Sequence, residues 1–582
     1  GNQASEGIHV QNNDMTDTDH RATVNINTEN TTIHADSALV AMSNSVLNVN
    51  SNLVTNGKNA ILTRGNSDVN INMEGKHTTQ LNGDIVFNYD GASSGTVIDS
   101  NVNVNLNGEG SFWTGNTKAE WNNGNEGKPD ADKMQVSHMT LQVENGAQWN
   151  PTSVKEVGNN SASAGSQAVA LNSLKLNNGV VNLDSDKLGT NSPVKVEKIS
   201  GNGTITTNSL DNKLVIDEKV AGTKLKVEGS GEIGDKILAG KATLEELAGT
   251  AKVGDKTASD EVGTQDGIIA GKMSAKVGDD GKIVASTVKR AIQQHNQAVS
   301  SMANLSLMTW RQENNDMNKR LGEVRASEGS QGIWARMARG QSKYGQQGIK
   351  NQYNYYQLGY DSKISDDWIL GGAFTYTDGD SNYTNGSGTN KHTGFAVYGS
   401  NLRDDGSFID LIAKYAHMKN DFDVNGGVGS GDYSTNGLSF SAEYGKRFHQ
   451  EGYWIEPQAE LTYGRVSSAD FTTKNGASVH QDSMDSLVGR LGFSLGKDIK
   501  QGNVYVRASY LYDFQGDTSV TMSKGGAATS FKTDLGGGWW EFGVGTNLDL
   551  GHDTHFYLDV ETTAGGDVDT PWQWNAGVRY SF

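Results

Sequence analysis

Apolar and polar residues alternate over short runs in the first 165 positions: Thr23–Asn27 (TVNIN), Val46–Asn50 (VLNVN), Val69–Met73 (VNINM) and Val102–Asn107 (VNVNLN). A period of two marks a strand with one apolar and one polar face. The runs recur after about 20 to 30 residues of Gly, Asn and Ser. Short strands at such spacing predict a right-handed parallel β-helix whose coils stack on one another. Asn fits the polar positions, because it tolerates left-handed turns and can ladder from coil to coil. Residues 168–230 keep the pattern, with LKLNNGVVNL from Leu174, ISGNGTI from Ile199, Lys213–Ile216 and Leu225–Val227. Residues 231–284 are richer in Gly, Lys and Asp, and repeat AKVGDKTAS as AKVGDDGKIVAS. They read equally as a tether or as a late coil.

The period then changes. From Ala285 to Arg325 the apolar positions Val288, Ile292, Ala298, Met302, Leu305 and Met308 follow a helical spacing, with no Gly or Pro between Val284 and Arg320. This predicts a helix of about 45 Å. Its apolar stripe is thin and its other faces polar, which suits a segment threading a wet pore rather than a lipid span. From Ile333 the period returns to two, in twelve longer runs dense in aromatics. Tyr453, Ile455, Ala459, Leu461 and Tyr463 share one face of a run, and Glu456, Gln458, Glu460 and Thr462 the other. In the final run Trp572, Trp574, Ala576, Val578, Tyr580 and Phe582 oppose Gln573, Asn575, Gly577, Arg579 and Ser581. An even number of long strands, apolar on one face and charged on the other, predicts a 12-stranded antiparallel transmembrane β-barrel over residues 329–582. A soluble sandwich alternates too, but a dry interior excludes the Asp, Glu, Lys and Arg of the polar face.

Composition sharpens this all-β reading. The 582 residues contain no Cys, 5 Pro, 72 Gly and a net charge of −19. Without Cys there is no disulfide framework, thiolate metal site or cysteine nucleophile. The negative charge argues against nucleic-acid binding. No signal peptide is visible at Gly1, so the sequence reads as a mature chain or a fragment. The scattered His residues show no metal-ligand spacing, and neither a metal nor another cofactor is expected. Gly379–Asp380–Ser381–Asn382 resembles a serine-protease motif, but lacks its final Gly and is placed in a barrel loop.

Two stretches carry a family resemblance. Residues 168–230, in the order LKLNNGVVNL, ISGNGTI, NKLVI and GTKLKV, resemble the autochaperone end of pertactin-type passengers. Glu313–Asn314–Asn315–Asp316–Met317–Asn318–Lys319–Arg320–Leu321–Gly322, with FIDLIAKYAH (408–417), SAEYGKRFH (441–449) and IEPQAELTYGR (455–465), resembles the enteric serine-protease autotransporters over about residues 310–582. The resemblance implies a monomeric type Va autotransporter. Residues 1–165 would be β-helical passenger, 166–284 its autochaperone-like end and tether, 285–328 a pore-threading helical linker with a cleavage junction, and 329–582 the outer-membrane translocator. It implies dealings with outer-membrane lipid, periplasmic chaperones and the barrel-assembly machinery, the last reading Tyr580–Ser581–Phe582.

The resemblance also implies chemistry. In that family the junction is cut inside the barrel by cyclisation of an asparagine. Matched residue by residue, Asn314 attacks its own carbonyl and Asn315 becomes the new N-terminus. Asp410 orients or activates Asn314, and Glu443 and Glu460 form a supporting acidic pair. Alternation independently puts Asp410, Glu443 and Glu460 on the polar face of three consecutive strands. An external-substrate enzyme is not expected here; autoproteolysis would be a single turnover. The passenger reads as an adhesin that meets a host or bacterial surface ligand. The alternative is the stalk of a secreted serine protease whose catalytic domain is absent from this chain.

Overall fold

The computed structural model describes residues 4–14, 19–90, 99–121, 128–134, 137–157, 164–189, 193–315, 329–345, 347–425 and 429–582. They form two compact units, Gly1–Ala291 and Ile292–Phe582.

The first unit is a stack of parallel strands. Ala22–Ile26, Ser45–Val49, Ser67–Ile71 and Ser100–Asn107 pair in turn, each in register with the next coil. Their apolar positions, Leu47, Val49, Val69, Ile71, Val102 and Val104, are buried in one continuous core. Their polar positions make the expected ladder. Nδ2 of Asn48 donates to Asn25 at 2.8 Å, Asn70 to Asn48 at 2.8 Å and Asn103 to Asn70 at 2.9 Å. Inside the stack the indoles of Trp113 and Trp149 lie parallel with centroids 5.4 Å apart. Each donates Nε1–H to a glycine carbonyl, that of Gly83 at 2.9 Å and that of Gly115 at 3.1 Å. A Cβ on Gly115 would fall 2.2 Å from the Gly83 carbonyl oxygen, so the close stack needs glycine there.

Residues 231–284 are not a loose tether. Helices Gly231–Leu238 and Leu244–Ala248 place Ile233, Leu247 and Ala248 in the same core as Val262 and Met273. Strand Glu261–Thr264 pairs in parallel with Lys224–Gly229 and antiparallel with Met273–Lys276, which turns the stack into a terminal hairpin.

The helix starts later than its periodicity predicts. Ala285–Thr287 is a single 3₁₀ turn and Lys289–Arg290 a strand against Met273–Ser274. The cause is local: Ile283, Val284, Thr287 and Val288 are β-branched and lose rotamer freedom in a helix. The α-helix runs from Gln294 to Asn314, opened by the Gln293 side chain, which accepts from the Asn296 amide at 3.1 Å. Residues 316–328, which include the rest of the junction phrase from Asp316 to Gly322, lie outside the described residues.

The second unit is a closed antiparallel barrel of twelve strands. They are β1 Gln331–Tyr344, β2 Ile349–Lys363, β3 Trp368–Tyr383, β4 Gly386–Leu402, β5 Ser407–Val424 and β6 Gly431–Lys446. Then come β7 Tyr453–Val466, β8 Met484–Ile499, β9 Gly502–Asp513, β10 Gly537–Gly551, β11 Thr554–Ala564 and β12 Val568–Ser581. Each pairs with its neighbour, and β1 closes on β12, with Ile333 opposite Tyr580. Closure leaves no free edge, the condition for a sheet to sit in lipid. The outer face is apolar and exposed, with Leu358 61%, Phe374 76% and Leu491 69% accessible. The inner face buries Asp410, Glu443, Arg490, Arg507, Asp559 and Arg579. Beyond the barrel wall, Ala469–Thr472, Ser478–Gln481, Asp517–Lys524 and Ala527–Asp534 form a four-stranded sheet from the β7–β8 and β9–β10 connections. Gly379–Asn382 lies within strand β3 rather than in a loop, and buried Ser381 donates to Asn351 at 3.1 Å.

Candidate functional site

The lumen helix is buried on all sides. Ala298, Val299, Met302, Ala303, Leu305, Leu307, Met308 and Trp310 are covered, as are Asn304, Ser306 and Thr309. A helix of mixed polarity is stable here because the wall offers both kinds of partner. Tyr433 on β6 donates to the Met302 carbonyl at 2.8 Å and touches Ser306 at 3.0 Å. Trp310 donates to the Leu438 carbonyl at 3.2 Å, and the wall makes room for its ring with glycine. A Cβ on Gly437 would lie 2.7 Å from that indole.

The last turn is held by charge. Arg311 reaches Asp513 at 3.0 Å and the Leu535 carbonyl at 2.6 Å, and stacks over Trp539. Gln312 accepts from Ser342 at 3.1 Å and from Thr570 at 3.2 Å. Glu313 meets Lys414 Nζ at 2.8 Å and His392 Nδ1 at 2.7 Å. These contacts fix the helix rotation and depth, and therefore the position of the two asparagines that follow.

Asn314 is the final helical residue and 93% buried, at 7% exposure; its Oδ1 accepts no hydrogen bond from a described residue. It lines a cavity of 20 Å³ with Trp310, Glu460, Thr462, Gly464 and Trp539. That is room for about one water molecule. Asn315 caps the helix, and its Nδ2 donates to Oε2 of Glu541 at 2.6 Å. It also borders a larger cavity of 250 Å³ walled by Gly536, Gly537, Gly538 and Asp567.

The three carboxylates expected from the sequence are neighbours. Asp410 on β5 stands opposite Glu443 on β6, and Glu443 opposite Glu460 on β7. The row continues to Arg490 on β8, whose Nη2 donates to Glu443 at 3.2 Å and to Glu460 at 3.5 Å. Asp410 accepts from Ser400 at 2.6 Å. Glu460 shares the small cavity with Asn314, whereas Asp410 and Glu443 are not among its lining residues.

The sequence reading did not single out Arg490, Arg507 or Glu541. Arg507 gathers Glu541 at 2.6 Å, Asp559 at 3.0 Å and Glu561 at 3.0 Å. The signal was available: Arg490 alternates with Leu491, and Glu541 with Trp540 and Phe542, as Glu460 does with Leu461.

The autotransporter beta-domain family model matches residues 333–561. The pertactin autotransporter of Bordetella parapertussis is 33% identical over 294 residues, covering 48% of this chain and 32% of its own length. The serine protease pet autotransporter of Escherichia coli O44:H18 is 34% identical over 282 residues, 46% of this chain and 22% of its own. The chain thus spans a third or less of the length of these curated relatives. The crystal structure of the beta domain of the Bordetella autotransporter BrkA is 26% identical, covers 44% of this chain and 100% of its own, and has a TM-score of 0.36. The lipid-compatible outer face, the closed ring of twelve strands and the matched residues agree: the C-terminal unit of this chain is an outer-membrane autotransporter beta-domain.

Proposed function

We propose that this chain exports and displays its own β-helical segment, and that the lumen linker is cut at the Asn314–Asn315 pair by asparagine cyclisation. The observation that carries the proposal is a helix buried inside a closed barrel, ending in two asparagines against the carboxylates of the wall. Coils that fold outside the cell bury Val, Ile and Leu, and that burial biases movement outward where no ATP is available. Residues 1–165 serve as the displayed solenoid, and 166–284 as an autochaperone-like end that nucleates coil stacking.

In the assignment taken from the family resemblance, Asn314 attacks its own carbonyl and Asn315 becomes the new N-terminus. Asp410, Glu443 and Glu460 supply the polar wall. An amide is a weak nucleophile, so rate comes from orientation and from carboxylates placed in a nearly dry site. Chaperones in the periplasm and the barrel-assembly machinery deliver the barrel, with Tyr580–Ser581–Phe582 as the terminal signal. The polar face that carries the Asn25–Asn48–Asn70–Asn103 ladder supports an adhesive role for the displayed segment.

The test replaces both asparagines by aspartate in the full chain. The expected result is full-length protein in the outer membrane, where the parent chain yields a separate barrel fragment. The same fragment forming at the parent rate from the double variant would contradict self-cleavage.

A further inference from the structure

We propose that the outer face of strands β1–β5 binds the phosphorylated glycolipid of the outer leaflet, with acyl chains in a groove of the wall and phosphates on Arg339, Lys391 and Lys419. The choice of leaflet rests on the display reading, which puts outside the cell the end of the barrel where the lumen helix begins. Strand β4 enters the wall at that end: a Cβ on Gly388 would lie 2.7 Å from Cε of Met302, near the helix start.

The groove comes from side-chain size. Small Ala335 and Ala576 beside exposed Tyr356, Leu358 and Phe374 leave a groove of 620 Å³ in the apolar outer surface. The rings of Tyr356 and Tyr376, with centroids 6.2 Å apart, stand at its outward end. Aromatic rings on a membrane wall settle at the depth of the headgroups.

Charge begins two residues further along. Met337 and Thr393 line the groove, and Arg339 and Lys391 are the next residues on the same faces of β1 and β4. Register joins them into one row across five strands: Arg339 opposite Asn354, Asn354 opposite Asp378, Asp378 opposite Lys391, and Lys391 opposite Lys419. Arg339, Lys391 and Lys419 are exposed, and none is in an ion pair with a described residue. Three cations against one acid leave two positive charges in excess, in a chain whose net charge is −19. Lys391 and Lys419 face each other directly, which by itself destabilises a sheet. An anion between them turns that repulsion into attraction. Arg339 presents a planar fork of donors suited to phosphate. One step further out Asp380 and Asp421 stand on either side of Thr389, so the positive band is a single row deep. Across the barrel, Arg465 on β7 is already paired with Asp485 at 3.3 Å.

Spacing selects the lipid. Arg339 and Lys391 are three strand spacings apart, about 14 Å. A glycolipid with a phosphate at each end of a disaccharide meets both ends of the row above the groove that takes its chains. A glycerophospholipid with one phosphate meets only one.

The experiment is native mass spectrometry of the full chain in detergent, titrated with bisphosphorylated lipid A, monophosphorylated lipid A and phosphatidylglycerol. Beside the parent stand the triple variant Arg339→Gln/Lys391→Gln/Lys419→Gln, the groove variant Ala335→Phe, and Arg465→Gln as a charge control. Heat-modified gel mobility identifies samples whose barrel is folded, and only those are compared. The parent should retain bisphosphorylated lipid A about tenfold better than either other lipid, the worth of one charge-assisted contact. The triple variant and Ala335→Phe should lose that preference, and Arg465→Gln should keep it. Equal retention of bisphosphorylated lipid A by the parent and the triple variant, or a parent that prefers phosphatidylglycerol, would overturn the site. Binding in detergent does not depend on which end of the barrel faces outward. A parent that passes while its β-helical segment is protected from protease on intact cells keeps the site and loses the display reading.

Discussion

Nζ of Lys414 lies 2.8 Å from Oε1 of Glu313, two side chains 101 residues apart that meet inside the barrel. Both are almost fully buried, and His392 holds the second oxygen of Glu313 at 2.7 Å. The pair ties the end of the lumen helix to strand β5. Replacing Lys414 by Met leaves the carboxylate with half its partners, at a cost of about 3–5 kcal/mol. The expected outcome is faster hydrogen exchange at Met302–Trp310 with the barrel strands unchanged. Changing Glu313 to Gln as well should recover much of the protection.

Arg490 holds Glu443 and Glu460 together and also donates to Gln458 at 3.0 Å. Arg490→Met should therefore lower the thermal midpoint of the detergent-solubilised barrel, because two buried carboxylates lose their shared cation. Arg490→Lys should recover only part, since an ammonium cannot reproduce the planar fork of donors. Calorimetry of the three proteins checks the order.

The asparagine ladder contributes to coil stacking in small equal steps. Asn48 donates to Asn25 and accepts from Asn70. Asn48→Ala removes both bonds, at a cost of about 1–2 kcal/mol. Amides of Ser45–Val49 should exchange faster than those of Thr140–Glu144, several coils away.

His480 lies in the sheet beyond the barrel wall, with Nδ1 2.6 Å from Asp470 and Nε2 3.0 Å from Asp482. The hydrogen bond to Asp470 raises its pKa above the ordinary histidine value. A raised folded pKa means that the contact contributes fully below about pH 6.5, the unfolded value. The contribution is lost as pH rises through the folded pKa. An NMR titration of the ring should show a midpoint above that of free histidine, and Asp470→Asn should move it down.

Much of this was legible in the sequence. Alternation located all twelve barrel strands and sorted Glu456, Gln458 and Glu460 from Tyr453, Ile455 and Leu461, because a strand's two faces meet two solvents. It also placed Asp410, Glu443 and Glu460 in one patch. Other features were beyond it. Glu313 and Lys414 meet only because the helix sits at one depth and rotation in the lumen, and residue spacing does not encode that. Residues 231–284 left tether and coil undecided, since Ile233, Leu247 and Val262 acquire a common core only when the hairpin folds back. The helix start was misplaced because apolar spacing outweighed the β-branched run at Ile283–Val288.

Site-specific labelling tests the central claim most directly, because the chain has no cysteine of its own. Single cysteines replace Asn48 on the ladder, Ser530 in the sheet beyond the barrel, and Gln501 in the β8–β9 turn. A membrane-impermeant maleimide on intact cells should label Asn48→Cys and Ser530→Cys, and should reach Gln501→Cys only after the outer membrane is opened. Labelling of Gln501→Cys on intact cells, with Asn48→Cys protected, would contradict the account.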